Sequence, residues 1–379
     1  MRHRFHSICP YFAMFPESFA ERWIGELTKP GDLVLDPFSG RGTTATCALL
    51  MERRAIACDV NDVAFCLTRA KTDAPALATL RRRLTMLEAG FEPKKWKKEV
   101  ANSPEFFRLA FEDETHGQLL YLRDALNWKR SRCDGMLAAL CLGSLHGEMD
   151  KSSSYFSNQM PRTISTKPAY SVRFWKEREL APPKRDVFAL LRSRAAYRYE
   201  TPLPTGKAIV LHRDMRDLAR MGDELPTPIN CAIMSPPYLD VTNFEEDQWL
   251  RLWFLGGPTY PTRGRISRDD RHESSDSYWR FIADMWRSMG QIMGAGADVV
   301  IRLGSRVATP DKLQHLLVAS SRFSGRPIKL VQNEVSQLKN RQTDAFRPGT
   351  KGCLVEIDCH FKFADGKPLR KKAAVRIAL

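Results

Sequence analysis

The stretch from Leu33 to Lys71 limits the fold of this chain more than any other. The apolar run Leu33-Val34-Leu35 enters a loop, Asp36-Pro37-Phe38-Ser39-Gly40-Arg41-Gly42-Thr43-Thr44. An Ala- and Leu-rich helix is expected over Thr43–Glu52, and Arg54–Asp59 reads as a strand ending in an acid. A second helix is expected over Asn61–Lys71. Strand, glycine loop, helix, strand and acid, in that order, open a doubly wound α/β fold. A helix over residues 17–29, with Phe19, Trp23, Ile24 and Leu27 at helical spacing, precedes it and is broken by Pro30-Gly31.

The pattern loosens between about residues 72 and 205. A buried helix is expected over 135–145, a polar loop from Lys151 to Pro168, a strand-like alternation at Tyr170–Trp175 and a basic helix over Asp186–Arg198. Strand logic resumes at Ala208–Leu211 and at Ile229–Met234, the second of which runs into Ser235-Pro236-Pro237-Tyr238. A helix over Tyr278–Met293, a strand over Ala297–Leu303, a helix over Lys312–Ser320 and a strand over Cys353–Phe361 complete the reading. The expected organisation is a discontinuous α/β domain, residues 1–75 and 205–379, interrupted by an inserted region, 76–204.

The chain has 379 residues, enough for a large core, and a formal net charge of +15. That surplus suits a polyanionic partner, since phosphates release counterions to Lys and Arg; a solvated basic surface is the alternative. The charge is concentrated: residues 151–200 hold eleven Lys or Arg and four Asp or Glu, interleaved with Tyr155, Phe156, Tyr170, Phe174, Trp175, Tyr197 and Tyr199. The nine cysteines stand singly, with no C-x-x-C pair, so no zinc site is expected and a reducing compartment is. No run of eighteen apolar residues and no signal-peptide pattern are present, so a cytoplasmic protein without a membrane span is expected.

Gly40 and Gly42 place a G-x-G at a strand-to-helix turn, where positive φ and close approach of a ligand to the backbone are tolerated. No Gly-Lys-Ser/Thr follows, and Ala45 stands where a dinucleotide fingerprint has its third glycine. A cofactor without phosphates, held by its amino-acid part, fits better. Asp59 lies where such folds hold ribose hydroxyls; capping the next helix is the alternative role. At the other loop, the Ser235 hydroxyl and the Pro236 carbonyl can accept the two N–H hydrogens of a planar amine, and proline keeps the loop rigid. Tyr238 can stack on a base turned out of a duplex. A plain polyproline loop is the alternative.

Thr28 to Thr44 resembles the S-adenosylmethionine motif of DNA amino-methyltransferases. Tyr11-Phe12-Ala13-Met14-Phe15-Pro16 resembles the segment that covers the methionine end of the cofactor in that family. The resemblance implies a doubly wound, Rossmann-like methyltransferase fold with an inserted target-recognition region. It implies that Tyr11, Phe12, Pro37, Phe38, Ser39, Gly40, Gly42, Thr43 and Thr44 line the cofactor, that Asp36 holds its ammonium and that Asp59 holds its ribose. Asp214 resembles the acid near the adenine ring, with Asp217 as competitor. Arg41 departs from the family, which has a small residue there, and is expected to face solvent or a DNA phosphate.

Ser235-Pro236-Pro237-Tyr238 resembles the family's catalytic loop. Serine at its head usually accompanies cytosine N4, whereas aspartate or asparagine accompanies adenine N6. The cofactor motif precedes the catalytic motif here, which resembles one of the family's circular permutations. The insertion is then expected to read the target, through Asn158, Gln159, Arg162 and Lys167. Asn243, Gln248, Trp249 and Arg251 are expected around the target pocket, and Arg341 at the DNA. Each of these can instead pack or be solvated. The resemblance implies transfer of the S-adenosyl-L-methionine methyl to the N4 amine of a flipped-out cytosine in double-stranded DNA. The alternatives are an adenine-N6 enzyme, an RNA amino-methyltransferase and an inactive DNA-binding protein. A cognate restriction endonuclease is among the partners it admits; neither metal nor membrane is.

Overall fold

The computed structural model describes residues 3–11, 15–149, 154–157, 159, 167–239, 244–262, 274–305, 308–337 and 355–365. Helix α1 (Glu17–Leu27) leads into β1 (Leu33–Asp36), α2 (Thr43–Leu50), β2 (Arg54–Asp59) and α3 (Asp62–Thr72). Helices α4 (Leu77–Ala89), α5 (Pro93–Asn102), α6 (Glu105–Ala110), α7 (Asp113–Ala125), α8 (Arg132–Leu142), α9 (Pro168–Glu177) and α10 (Val187–Arg198) follow before the next strand. The chain then returns to the sheet with β3 (Ile209–His212), a turn α11 (Leu218–Met221) and β4 (Ile229–Met234). It continues through α12 (Phe244–Phe254), α13 (Ser275–Ile292), β5 (Met293–Ser305), α14 (Pro310–Ser321), β6 (Ile328–Gln337) and β7 (Val355–Phe363).

The strands form one seven-stranded sheet in the order β3-β2-β1-β4-β5-β7-β6. The first five are parallel, and β7 lies antiparallel between β5 and β6. Parallel strands covered on both faces read as continuous apolar runs, and all four residues of β1 are buried. Successive residues of a strand face opposite ways. Leu33 and Leu35 join Ala232, Met234 and the apolar face of α13 in one core layer, while Val34 joins Cys231, Ile233, α1 and α2 in the other.

A third core is helical. It takes α3 residues Val63, Leu67 and Ala70, the N-terminal Phe5 and Ile8, and apolar residues of α4, α6, α7, α8, α9, α10 and α12. The Trp253 ring of α12 lies 4.4 Å from that of Phe107 in α6, and Arg123 of α7 donates to the Trp253 carbonyl at 2.7 Å. The helices between β2 and β3 are thus joined to the sheet through α3 and to the segment after β4 through α12.

Residues Tyr170–Trp175 differ from the strand expected of them: they belong to α9. Pro168 opens that helix and Ser171, Phe174 and Trp175 are its buried residues, a spacing of three and four that a helix satisfies. Strand β6 escapes the sequence pattern because it is an edge: Val331 and Val335 are exposed and polar residues alternate with them. Eight cysteines fall among the described residues, all thiols, and all but Cys133 are buried.

His116 of α7 is buried, its ring stacked on Phe107 at 5.6 Å between centroids, and neither ring nitrogen has a hydrogen-bond partner. Burial holds its imidazole down to about 4. Between the ordinary histidine range and that value the unfolded chain binds a proton that the folded one refuses, so this residue lowers stability as pH falls. His116→Phe should shrink the loss of unfolding free energy between pH 7 and pH 4 by about 3 kcal/mol. Chemical denaturation of both proteins at the two pH values measures it.

Candidate functional site

In an open α/β sheet the crevice forms where strand order reverses, outside the carboxyl ends of the strands. Here that point lies between β1 and β4, which pair directly: Val34 is opposite Cys231 and Leu35 opposite Ala232. The loops that begin at Asp36 and Ser235 therefore leave neighbouring strands at the same end, one strand spacing of roughly 4.8 Å apart. The Thr44 hydroxyl, at the start of α2, lies 3.2 Å from the Ile233 carbonyl and ties the two halves across 189 residues of sequence.

The first loop is held from three sides. Gly40 and Gly42 have φ of +48° and +75°. A Cβ on Gly42 would stand 2.7 Å from the Thr68 hydroxyl oxygen and 2.9 Å from its Cα, so the loop can pass α3 only as glycine. The Gly40 N–H donates to Asp59 Oδ2 at 2.9 Å, and the Asn61 N–H to Oδ1 at 3.0 Å. The helix-capping role weighed for Asp59 belongs to Asn61, whose side chain accepts from the Val63 and Ala64 N–H groups. Tyr11 is buried against Gly40; a Cβ there would lie 3.3 Å from its ring.

Asp36 is buried and accepts the Phe38 N–H at 3.1 Å. Burial pushes its carboxyl up to about 7; the Phe38 N–H and the Thr44 hydroxyl pull it back, and the Asp59 charge adds to the rise. One hydroxyl donates once, so Thr44 serves either Asp36 or the Ile233 carbonyl at a time. Ser39, Thr43 and Thr44 are buried with it, and Phe38 packs on Phe281 of α13 at 5.6 Å.

Arg41 does not face solvent or a phosphate, as the sequence suggested. It is buried, and its guanidinium donates to the His6 carbonyl at 3.0 Å, Glu17 Oε1 at 2.9 Å and the Thr43 hydroxyl at 3.2 Å. Lys71 of α3, fully buried, donates to the Arg41 carbonyl. Burial, and then the Arg41 charge, lower the Lys71 ammonium well below the usual lysine range. Sequence reasoning passed over Thr68 and Lys71; the signal was a lysine three residues after Thr68 on the apolar face of an otherwise buried helix.

At the second loop Ser235 is half-buried, Pro236 is buried and Pro237 half-buried. Tyr238 is 8% exposed and its hydroxyl donates to Glu356 Oε1 at 2.8 Å, with Ser235 Oγ 3.4 Å from the phenol oxygen. Its ring belongs to the core beneath the sheet rather than to an open stacking surface. Glu356, on β7, carries no sequence signal. Asp214 follows β3 at the same sheet end. It caps the next turn through the Arg216 N–H and is bidentate to the Arg216 guanidinium at 2.8 and 2.6 Å; Asp217 pairs with Arg220.

The residues expected at DNA divide. Gln159 and Arg251 are corrections: both are buried. Gln159 Nε2 donates to the Leu109 carbonyl at 2.7 Å, and Arg251 Nε donates to the Leu142 carbonyl at 3.2 Å, joining α12 to α8. Gln248 and Trp249 turn into the same helical core. Packing of α12 on the helices between β2 and β3, which no local pattern reveals, takes Gln248, Trp249 and Arg251 inward. Lys167 is exposed, 3.5 Å from Glu246. Asn158, Arg162, Asn243 and Arg341, and Phe12 at the cofactor loop, lie outside the described residues.

A doubly wound sheet with this strand order and these loops at its switch point is a Rossmann-like fold. The sequence profile of a family described as DNA methylase matches residues 3–68. The type II methyltransferase M.BglII of Bacillus subtilis is 32% identical over 90 residues, which cover 22% of this chain and 25% of that protein. The chain thus spans about a quarter of the length of that curated relative. The likeness to DNA amino-methyltransferases lies in this N-terminal segment. Among solved structures, TrmN of Thermus thermophilus is similar at 10% identity and a TM-score of 0.38, over 95% of this chain and 52% of its own. The rRNA methyltransferase aviRa of Streptomyces viridochromogenes is similar at 13% and 0.34, over 93% and 87%.

The cofactor of this family is S-adenosylmethionine. The site fits it on its own chemistry: Asp36 is a buried carboxylate with no cationic side chain against it among the described residues, which suits an ammonium. No cluster of metal-ligating side chains occurs among the described residues, and no described helix is long and apolar enough to cross a membrane.

Arg41→Met should remove the guanidinium that binds Glu17 and the His6 carbonyl. Breaking a buried ion pair costs about 3 kcal/mol or more, so the variant should unfold measurably earlier in a thermal melt while Arg22→Met, on the exposed face of α1, should not.

Proposed function

We propose that this chain is an S-adenosylmethionine-dependent DNA methyltransferase that modifies the N4 amine of a cytosine flipped out of duplex DNA. The observation that carries this is the direct pairing of β1 with β4, which sets a buried carboxylate and a glycine loop beside Ser235-Pro236-Pro237-Tyr238. In this reading residues 1–75 and 205–379 are the catalytic domain and 76–204 the inserted target-recognition region. The basic surplus of the chain supports a polyanionic substrate.

The roles follow from the chemistry of each group. Asp36 holds the ammonium of the cofactor, Asp59 its ribose hydroxyls, and Tyr11, Phe38 and Gly40 shape the cleft for its methionine end. Asp214 stands toward its adenine. When bound, S-adenosylmethionine supplies an electrophilic sulfonium methyl. The exocyclic amine of cytosine is a poor nucleophile because its lone pair is delocalised into the ring. Ser235 Oγ and the Pro236 carbonyl accept its two N–H groups and favour the pyramidal nitrogen that attack needs. The bound cofactor would supply the methyl as its sulfur leaves as a neutral thioether, and the proton lost from the methylated amine would pass to solvent water, while Ser235 and the Pro236 carbonyl hold that amine. Tyr238 fixes the loop by its hydroxyl. A serine at the head of the loop favours cytosine N4 over adenine N6 in the family this segment resembles.

Unmethylated genomic DNA treated with the protein and analysed by nucleoside mass spectrometry should contain N4-methylcytosine. N6-methyladenine instead would keep the mechanism and change the base, and methylated nucleosides in RNA alone would move the substrate. Ser235→Ala should lower the rate of transfer by about 10²-fold or more and leave cofactor affinity within two-fold; equal loss of both would sink its assignment.

Ionised Asp36 is the form that pairs with an ammonium, and without ligand its carboxyl titrates near 7. Affinity for S-adenosylmethionine should therefore fall as pH drops through that value, by more than about ten-fold between pH 7.5 and pH 5.5. Calorimetric titration across that range should show the slope in the wild type and none in Asp36→Asn.

A further inference from the structure

Glu356 lies in the antiparallel strand β7, outside every motif of the site, yet its side chain reaches the catalytic loop. Oε1 accepts the Tyr238 hydroxyl at 2.8 Å, and Ser235 Oγ stands 3.4 Å from the same phenol oxygen. The other oxygen, Oε2, faces the Arg302 guanidinium at 3.6 Å. Arg302 is itself held by Asp358 at 2.7 and 2.6 Å and lies over the Phe19 ring at 4.0 Å, so the cation cannot swing away. Glu356, Arg302 and Tyr238 are all largely withdrawn from solvent.

A hydroxyl carries one proton and two lone pairs, and a carboxylate accepts only. Opposite Glu356 the Tyr238 proton has a single place to go, onto Oε1. The phenol oxygen is then left as an acceptor, and it faces the single proton of Ser235. With that proton turned toward Tyr238, the lone pairs of Ser235 Oγ are the part offered to a bound base. Were residue 356 able to donate, the order could reverse: Tyr238 would accept from it and donate to Ser235, and the Ser235 proton would point at the base. An exocyclic amine presents N–H hydrogens and needs the first arrangement; a ring carbonyl needs the second.

We infer that Glu356, acting through Tyr238, is a positioning residue that sets Ser235 as a hydrogen-bond acceptor and so selects bases that present an amine. The inference rests on the assignment of Ser235 to the target amine. It gives the last hairpin of the sheet a part in substrate choice, and it accounts for a tyrosine whose hydroxyl is spent on the protein.

The test is a double-mutant cycle on single-turnover methyl transfer, with the DNA or RNA pool that the wild type modifies. Glu356→Gln keeps the shape and can either donate or accept; Tyr238→Phe removes the link. Each should slow transfer about ten-fold, the worth of one ordered hydrogen bond, with S-adenosylmethionine affinity unchanged. The double variant should be no slower than Tyr238→Phe, because both break one chain. A Glu356→Gln rate within two-fold of wild type, or losses that multiply in the double variant, overturns the inference while a slow Ser235→Ala keeps the site. A Ser235→Ala enzyme as fast as wild type, or a wild type that methylates neither polymer, overturns the reading of the site and the inference with it. Should Glu356→Gln fail to fold, Tyr238→Phe alone decides: full speed refutes the chain of hydrogen bonds.

Discussion

The pairing of β1 with β4 is the contact on which the site depends. Neither strand carries more than six residues, and neither is flanked in sequence by the other. They become neighbours because the chain winds outward from β1 through β2 to β3, then crosses back to the other side of β1. Right-handed crossovers of parallel strands put helices on both faces and leave the carboxyl ends open at the reversal point. Asp36 and Ser235 each end one of those strands, so chain topology, not local sequence, sets them side by side. The Thr44 hydroxyl then bridges to the Ile233 carbonyl.

Beneath the glycine loop the protein buries charge that a simple core would not. Glu17, Arg41, Lys71 and the His6 carbonyl converge there, with Thr68 of α3 pressed against Gly42. Buried charges are tolerated where each finds a partner, and removing one leaves the other stranded. The arrangement ties the N-terminal segment, α1 and α3 to one loop. The same helix, α3, extends the sheet into the helical region, and α12, after the Ser235–Tyr238 loop, returns onto that region through Trp253 and Arg251.

Most of the fold was legible in the chain. The helices and parallel strands from Glu17 to Thr72, and β3, β4, β5, α13, α14 and β7, fall within a few residues of their expected bounds, because buried parallel strands are continuous apolar runs and amphipathic helices repeat at 3.6. The exceptions share a cause. Tyr170–Trp175 alternates like a strand but is a helix, since it packs Phe174 and Trp175 on one partner surface. Strand β6 is an edge with one wet side, so its pattern is diluted. Gln159, Gln248, Trp249 and Arg251 read as polar or aromatic surface, and helix-on-helix packing turned them inward.

What the sequence determined by itself was the chemistry available: an acid at the end of a buried strand, glycines where φ must be positive, a second acid after the next strand, and a rigid Ser-Pro-Pro-Tyr turn. Local patterns suffice for these because each is written in a few consecutive residues. The tertiary structure alone decided which groups meet. It turned Arg41 inward to Glu17, gave the helix cap to Asn61 rather than Asp59, and brought Glu356 to Tyr238 from 118 residues away. Those contacts depend on strand order and on the packing of distant elements, which no window of sequence contains.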